Sequence, residues 1–337
     1  MKRFKIEPRE NYEKKIEKLG FNFHPDYWLE NAYYSFSSEE IEELEKATNE
    51  CYKMYCDAVQ FVIDNDLWDV LKIPRGIVPE IIKSWEEDHL SLYGRFDFAF
   101  IEEDGKRVPK LLEFNAQTPS CVLETSIIQW DWKEYKFPDK DQFNSVHEKL
   151  VNSWIDIHQR YNSDRYYFAC SRESVEDEET IQYLLSTAME AGLNTAEIEM
   201  EQLLYNEEEN CFYDPAGERI DTCFTLYPFE WLFDECLDAC KAKINWIELR
   251  SKYQHTDDID YLLQLLSTIT LEDSVQSNDN GLTQQVTVRK GIGLAEKKTV
   301  KPIVKLKPYR TFYEVEQPES EFLVRINDEG KIGFYEA

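Results

Sequence analysis

Hydrophobic and polar positions alternate most regularly between Leu92 and Trp132. Phe96, Phe98 and Phe100 fall on one side of an expected strand, with Arg95, Asp97 and Ala99 on the other. A second run, Lys110 to Asn115, sets Leu112 and Phe114 against Glu113 and Asn115. Between the two, Asp104-Gly105 has the chemistry of a hairpin loop. Each strand thus carries ionisable or amide groups on one face of an otherwise greasy ribbon. Parity decides whether those groups meet. A two-residue Asp-Gly turn pairs residues whose numbers sum to an odd value, which separates Asp97 from Glu113. A loop with an odd number of residues, Glu103 to Arg107, sets Asp97 opposite Glu113 and Arg95 opposite Asn115. The odd loop is the expectation.

Upstream, residues 1–36 mix charge with aromatics, as an extended segment packed on a core would. Ser37 and Glu40 form a capping-box pattern, and apolar positions at helical spacing predict a long helix to about Val62. Pro74 and Pro79 break that pattern before a helix expected around Ile81 to His89. Downstream, the polar turn Thr118-Pro119-Ser120 leads into a helix from Leu123 to about Trp132, and a further helix runs from roughly Asp141 to Tyr161. Tyr166 to Cys170, Glu179 to Ala191 and Thr195 to Ile198 then read as strand, helix and strand. Asn206 to Ile220 reads as a polar hairpin and Cys223 to Leu226 as another strand. That order implies a parallel sheet whose ligand crevice lies beyond the carboxyl ends of the strands. The loop expected there, Ser171 to Glu179, holds four consecutive acids, Glu176 to Glu179. Leu237 to Ile269 reads as helical, Glu272 to Gly281 as a polar linker, and β-like runs interspersed with lysines follow from Gln284. The fold class is mixed α/β and α+β with a small β-rich C-terminal segment.

Composition narrows the function classes. The 337 residues are enough for two domains. With 38 basic against 67 acidic side chains the net charge is −29. Nucleic acid binding, which rests on phosphate neutralisation, does not fit. Cationic partners suit the charge, as does plain solubility. No apolar run reaches membrane-spanning length, so no membrane partner is expected, and the charged start without an apolar core suggests no export. The eight cysteines follow no metal-binding spacing and read as reduced core residues, which with the charged start points to a cytoplasmic protein. The five histidines form no triad spacing with cysteine or serine.

Candidate chemistry centres on the hairpin. Asp97, Glu113 and the amide oxygen of Asn115 make a hard-oxygen set suited to Mg²⁺ arriving with a nucleotide. Arg95 beside them could neutralise charge on a phosphoryl group in transfer. The structural alternative is an ordinary Arg95–Asp97 ion pair with Glu113 in solvent. Thr118 and Ser120, ahead of a helix, suit either an anion such as a substrate carboxylate or simple N-capping. Glu176 and its acidic neighbours suit either a solvated helix start or recognition of a substrate ammonium.

The run Gly94-Arg95-Phe96-Asp97-Phe98, then Leu111 to Ser120, then Gln129-Trp130-Asp131-Trp132 resembles the glutathionylspermidine synthase family of ATP-grasp carboxylate–amine ligases. Arg9, Gly20-Phe21, Tyr27-Trp28 and Tyr227-Pro228-Phe229-Glu230-Trp231 have counterparts there as well. The resemblance implies the front, pre-ATP-grasp half of such a ligase. In that family Mg·ATP phosphorylates a peptide carboxylate, and an amine attacks the acyl phosphate. It implies Asp97, Glu113 and Asn115 as Mg²⁺ ligands and Arg95, with Asp97, at the nucleotide. Thr118, Ser120 and Glu176 would hold small-molecule peptide and amine substrates. Val175 stands where the family carries a second acid. The likeness covers residues 1–235, followed by a helical segment and linker over 236–275. The β-rich residues 276–337 resemble an uncharacterised phage-encoded family through Pro308 to Phe312 and Glu314 to Pro318, and read as an incomplete domain. Three functional readings follow: an active ligase, a binding remnant without turnover, and a phage-associated interaction protein.

Overall fold

The computed structural model describes residues 1–23, 27–116, 118–171 and 173–247, together with four short strands between 286 and 336. The chain opens with strand β1 (Lys2–Lys5), helix α1 (Tyr12–Glu17) and strand β2 (Ala32–Ser35), which returns antiparallel on β1. Helix α2 (Ser38–Asp64) follows. Ser37 Oγ accepts from the Glu40 backbone N–H, and the Glu40 side chain accepts from the Ser37 N–H, so the expected capping box is present. Helix α3 (Val78–Glu86) starts three residues earlier than the sequence suggests. Pro79 stands in its first turn, where a missing N–H costs nothing.

Strands β3 (Arg95–Glu103) and β4 (Lys106–Asn115) form the hairpin. A π-helical turn, Glu124–Ile128, then runs directly into α4 (Gln129–Lys136). Helix α5 (Val146–Tyr161) begins five residues later than expected. Strand β5 (Tyr166–Cys170) matches its expected bounds. Helix α6 (Val175–Glu190) starts four residues early because Ser174 caps it, accepting from the Asp177 N–H. The four acids expected in a loop are therefore helical, and Glu176, Asp177 and Glu178 occupy its first turn, where the helix dipole favours them.

Strand β6 (Thr195–Glu199) precedes a three-stranded antiparallel meander of β7 (Leu204–Asn206), β8 (Cys211–Tyr213) and β9 (Arg219–Ile220). Strand β10 (Thr222–Leu226), helix α7 (Phe229–Cys236) and strand β11 (Asn245–Ile247) follow. The order β11-β10-β5-β6 is parallel throughout, as the strand–helix–strand pattern requires. β11 corrects the expectation of helix after Leu237. Residues 239–241 are a single 3₁₀ turn, and Trp246 and Ile247 pair with Cys223 and Phe224, so the first unit reaches at least Ile247 rather than 235.

Both faces of this sheet are covered, which explains its unbroken apolar strands. Tyr166, Phe168, Cys170 and Phe224 pack on Trp154 and Ile157 of α5 and on Ile181 and Leu184 of α6. Alternate residues Tyr167, Ala169 and Cys223 face Val62, Trp68, Ile77, Ile81 and Phe229. Arg9 fastens the N-terminal segment to α4: its guanidinium donates to buried Glu30 at 2.6 and 3.0 Å and to Asp131. Beyond Ile247, β12 (Val286–Val288) pairs antiparallel with β13 (Lys298–Val300), and β14 (Phe322–Ile326) with β15 (Ile332–Glu336). β14 also meets β3 at Leu323 and Ala99. The expected helix to Ile269, the linker at 272–281 and the motifs at 308–318 lie outside the described residues.

Candidate functional site

The hairpin brings the expected groups together by a different route. Its turn is the two-residue Asp104-Gly105, with φ of 51° and 77°, left-handed at both positions. Such turns match the right-handed twist of the strands they join. Pairing then runs with odd sums from Glu103–Lys106 to Phe98–Leu111. Leu112 is an extra residue, a β-bulge, and beyond it the sums become even: Asp97 opposes Glu113, Phe96 opposes Phe114, and Arg95 opposes Asn115. The odd loop is thus wrong and its consequence right. Without the bulge, Asp97 would face Leu112, and Glu113 would point to the other side of the ribbon.

The opposite face anchors the hairpin. Phe96 and Phe114 stack at 4.0 Å, and Tyr55 of α2 meets Phe114 edge-on at 5.0 Å. Gly94 is required here, since a β-carbon would sit 2.8 Å from the Phe114 ring.

On the polar face Arg95 is the hub. Its Nε donates to Asp97 Oδ1 at 2.9 Å, and its Nη2 lies 3.5 Å from Glu113 Oε1. Its Nη1 donates to Ser120 Oγ at 3.1 Å and approaches Cys121 Sγ at 3.8 Å. Asn115 Nδ2 donates to Glu113 Oε1 at 2.8 Å. The expected Arg95–Asp97 ion pair is therefore real, and Glu113 belongs to the cluster rather than to solvent. Burial pushes the Asp97 carboxyl up to about 7; Arg95 opposes that rise, and the hydrogen bond and charge of Glu113 add to it. Burial works against the Arg95 charge, yet Asp97 and Glu113 hold the guanidinium above its ordinary value.

Asp97 Oδ2 is buried and accepts from no N–H donor, with the Glu113 carboxyl as its polar neighbour. Such a carboxylate oxygen beside a second carboxylate and an amide oxygen fits a hard divalent cation, as the donor set demands. Among the described residues, no three His, Cys, Asp or Glu side chains gather as a metal cage, and the hairpin itself offers two carboxylates and an amide.

The other expected residues divide. Ser120 joins the Arg95 cluster directly, and Tyr93 Oη, donating to the Pro119 carbonyl at 2.5 Å, steadies the turn that carries it. Thr118 lies half-buried in the same turn, three residues after Asn115, which ends β4 opposite Arg95. Glu176, in the first turn of α6, acts electrostatically on Tyr27, Cys121 and Glu124 rather than on the hairpin carboxylates.

Two residues escape sequence reasoning. Cys121, taken as plain core, adopts a left-handed φ of 68° and stands between Arg95 and the Tyr27 hydroxyl. Glu124 is buried on the π-turn. Its signal was present: it stands four residues before fully buried Ile128, on the inward face of a helical pattern. Such π-turns mark functional positions often enough to draw notice.

The hairpin thus gathers two carboxylates and an amide around a central arginine, in a fold that also holds a four-stranded parallel sheet. The profile of the family described as "Glutathionylspermidine synthase preATP-grasp" matches residues 3–253, and the chain belongs to that family. A candidate acid–amine ligase of Haemophilus influenzae is 32% identical over 212 residues, covering 61% of this chain and 52% of the relative. The bifunctional glutathionylspermidine synthetase/amidase of Escherichia coli is 25% identical over 236 residues, covering 69% of this chain and 37% of that protein. Trypanothione synthetase of Crithidia fasciculata is 27% identical over 175 residues, covering 51% and 26%. The aligned part of this chain spans about half or less of the length of each. No helix among the described residues is long and apolar enough to cross a membrane.

Proposed function

We propose that the chain serves ATP-dependent formation of an amide between a peptide carboxylate and an amine, through an acyl phosphate. The observation that carries this reading is the buried Asp97 Oδ2, which accepts from no N–H donor and is held opposite Glu113 by the Leu112 bulge. Asp97, Glu113 and Asn115 would hold Mg²⁺ brought in with ATP, and the bound ion would supply charge neutralisation at the transferring phosphoryl group. Arg95 presents its guanidinium to the same group and stabilises the charge that develops on it. Ser120 Oγ accepts from Arg95 and lies 3.6 Å from Cys121 Sγ, which sets its hydroxyl beside the guanidinium where a substrate carboxylate would dock. Thr118 extends that cradle. Glu176, acidic and half-buried, faces the cationic end of a substrate. Glutathione and spermidine are the probes that the names of the relatives suggest.

A second reading rests on the length of the match. Among the described residues Arg95 is the cation at the centre of the hairpin cluster, and the chain spans about half of its relatives. The chain would then bind nucleotide and substrate, and turnover would need further phosphate-binding cations. Calorimetric titration of Mg·ATP separates these readings. Micromolar binding, lost in Asp97→Asn and accompanied by glutathione-dependent ADP release, supports the ligase. Binding without ADP release supports the binding module. A folded chain that binds no Mg·ATP contradicts both.

A further inference from the structure

The site holds a second buried acid with a different environment. Glu124 is 3% exposed on the π-turn. Among the described residues, no other side chain donates a hydrogen bond to it, and the donor that reaches its carboxylate is its own backbone N–H. The charged and titratable groups that face it are Tyr27 from the N-terminal segment, Arg95 from β3, Cys121 three residues earlier, and Glu176 from α6. Cys121 joins the two ends of this array, with its Sγ 3.8 Å from Arg95 Nη1 and 4.0 Å from Tyr27 Oη. A left-handed backbone is uncommon for cysteine, and here it places the thiol between guanidinium and phenol. Contacts thus run from Asp97 through Arg95 and Cys121 to Tyr27, and Glu124 and Glu176 act on this array through their charge.

Position and chemistry together suggest a role. An aliphatic amine is an ammonium ion at neutral pH, with a pKa of roughly 10, and cannot attack until it loses a proton. A general base works best when its pKa lies near the operating pH. Tyr27 and Cys121 do not suit: burial raises the phenol, and pushes the thiol up to about 12. Asp97 is committed to Arg95 and the cation site. Glu124 lies within electrostatic reach of Arg95, and among the described residues no cation forms an ion pair with it.

We propose that Glu124 is the proton acceptor for the amine that attacks the activated carboxylate, an inference that rests on the ligase reading above. The Glu124 carboxylate takes one proton from R–NH₃⁺, leaving R–NH₂ and a carboxylic acid. The nitrogen lone pair forms the C–N bond at the acyl carbon, and the C–O bond to the phosphoryl group breaks. The second nitrogen proton leaves with the phosphate as HPO₄²⁻, and Glu124 returns its own proton to solvent. Burial pushes the Glu124 carboxyl up to about 7; its own N–H and Arg95 temper that rise, and Glu176 adds to it.

The test compares two nucleophiles. Wild type, Glu124→Gln and Glu124→Asp are each given Mg·ATP and glutathione with either spermidine or hydroxylamine, which is already neutral and needs no base. Glu124→Gln should lose at least about 10²-fold in spermidine amide formation, far more than in hydroxamate formation. The wild-type fall in amide rate below neutrality should vanish in that variant. Glu124→Asp, which keeps the charge and shortens the reach, should shift the product ratio the same way while keeping the pH limb. It carries the test if Glu124→Gln fails to fold. Equal losses with both nucleophiles, or an unchanged ratio, would overturn the assignment. A wild type that forms hydroxamate supports the ligase reading independently of Glu124. One that forms neither product overturns that reading and this inference with it.

Discussion

Asp97 and Glu124 are both buried, and in both the carboxyl is pushed up to about 7, yet they keep unlike company. Asp97 lies against the guanidinium at 2.9 Å, with one oxygen engaged and the other accepting from no N–H donor. Glu124 feels the charge of another acid, Glu176, and more weakly that of Arg95, and among the described residues its donor is its own N–H. A buried acid beside a fixed cation and a second carboxylate is a place for a metal ion. A buried acid without one is a place for a proton. Glu30 completes the series: Arg9 engages both of its oxygens in a closed, structural pair.

The effect of removing each arrangement should follow that order. Arg9→Ala leaves Glu30 buried and uncompensated, and we expect a loss of about 3–5 kcal/mol in chemical denaturation. Arg95→Ala should cost less, about 1–3 kcal/mol, because Asp97 can take up a proton in place of its partner. A larger loss for Arg95→Ala than for Arg9→Ala would mean that Asp97 cannot be neutralised in place.

Glu124→Gln should stabilise the protein above neutral pH. The folded-state pKa of Glu124 lies above its ordinary value of 4.5, so the folded protein binds the proton more tightly than the unfolded chain. Wild-type stability then falls as pH rises from about 4.5 through about 7, and the variant escapes that loss. The difference in melting should open across that window and level off at roughly 1–2 kcal/mol, allowing for relaxation around the charge. A difference of the opposite sign would show that Glu124 is stabilised as a carboxylate.

The smallest effect concerns the turn. Asp104→Ala places an ordinary side chain at a φ of 51° and should cost about 1 kcal/mol. It should leave Mg²⁺ affinity unchanged, because the Leu112 bulge, not the turn, aligns Asp97 with Glu113. Lost affinity would return control of the register to the loop.

Much of this arrangement is legible in the residues. Alternation locates both hairpin strands and gives β5 its observed bounds, and Ser37 with Glu40 marks the start of α2. The meeting of Arg95, Asp97, Glu113 and Asn115 is anticipated, but through a five-residue loop rather than a two-residue turn with a bulge. A bulge inserts one residue for reasons of packing, and nothing in a regular alternation marks where it falls. Asn245–Ile247 is hidden for a similar reason, since three residues become a strand only because β10 offers an edge. Glu124 is missed because an acid in a helix reads as surface until the neighbouring sheet and α6 are known to cover it.

The most direct test of the metal-binding hairpin substitutes paramagnetic Mn²⁺ for Mg²⁺ and counts bound ions by electron paramagnetic resonance in the presence of ATP. The account predicts one tight ion per chain, lost in Asp97→Asn and weakened in Glu113→Gln and Asn115→Ala, with Glu124→Gln binding as the wild type does. An ion that binds equally well to the Asp97 variant, or no ion in a folded wild-type chain, would contradict it.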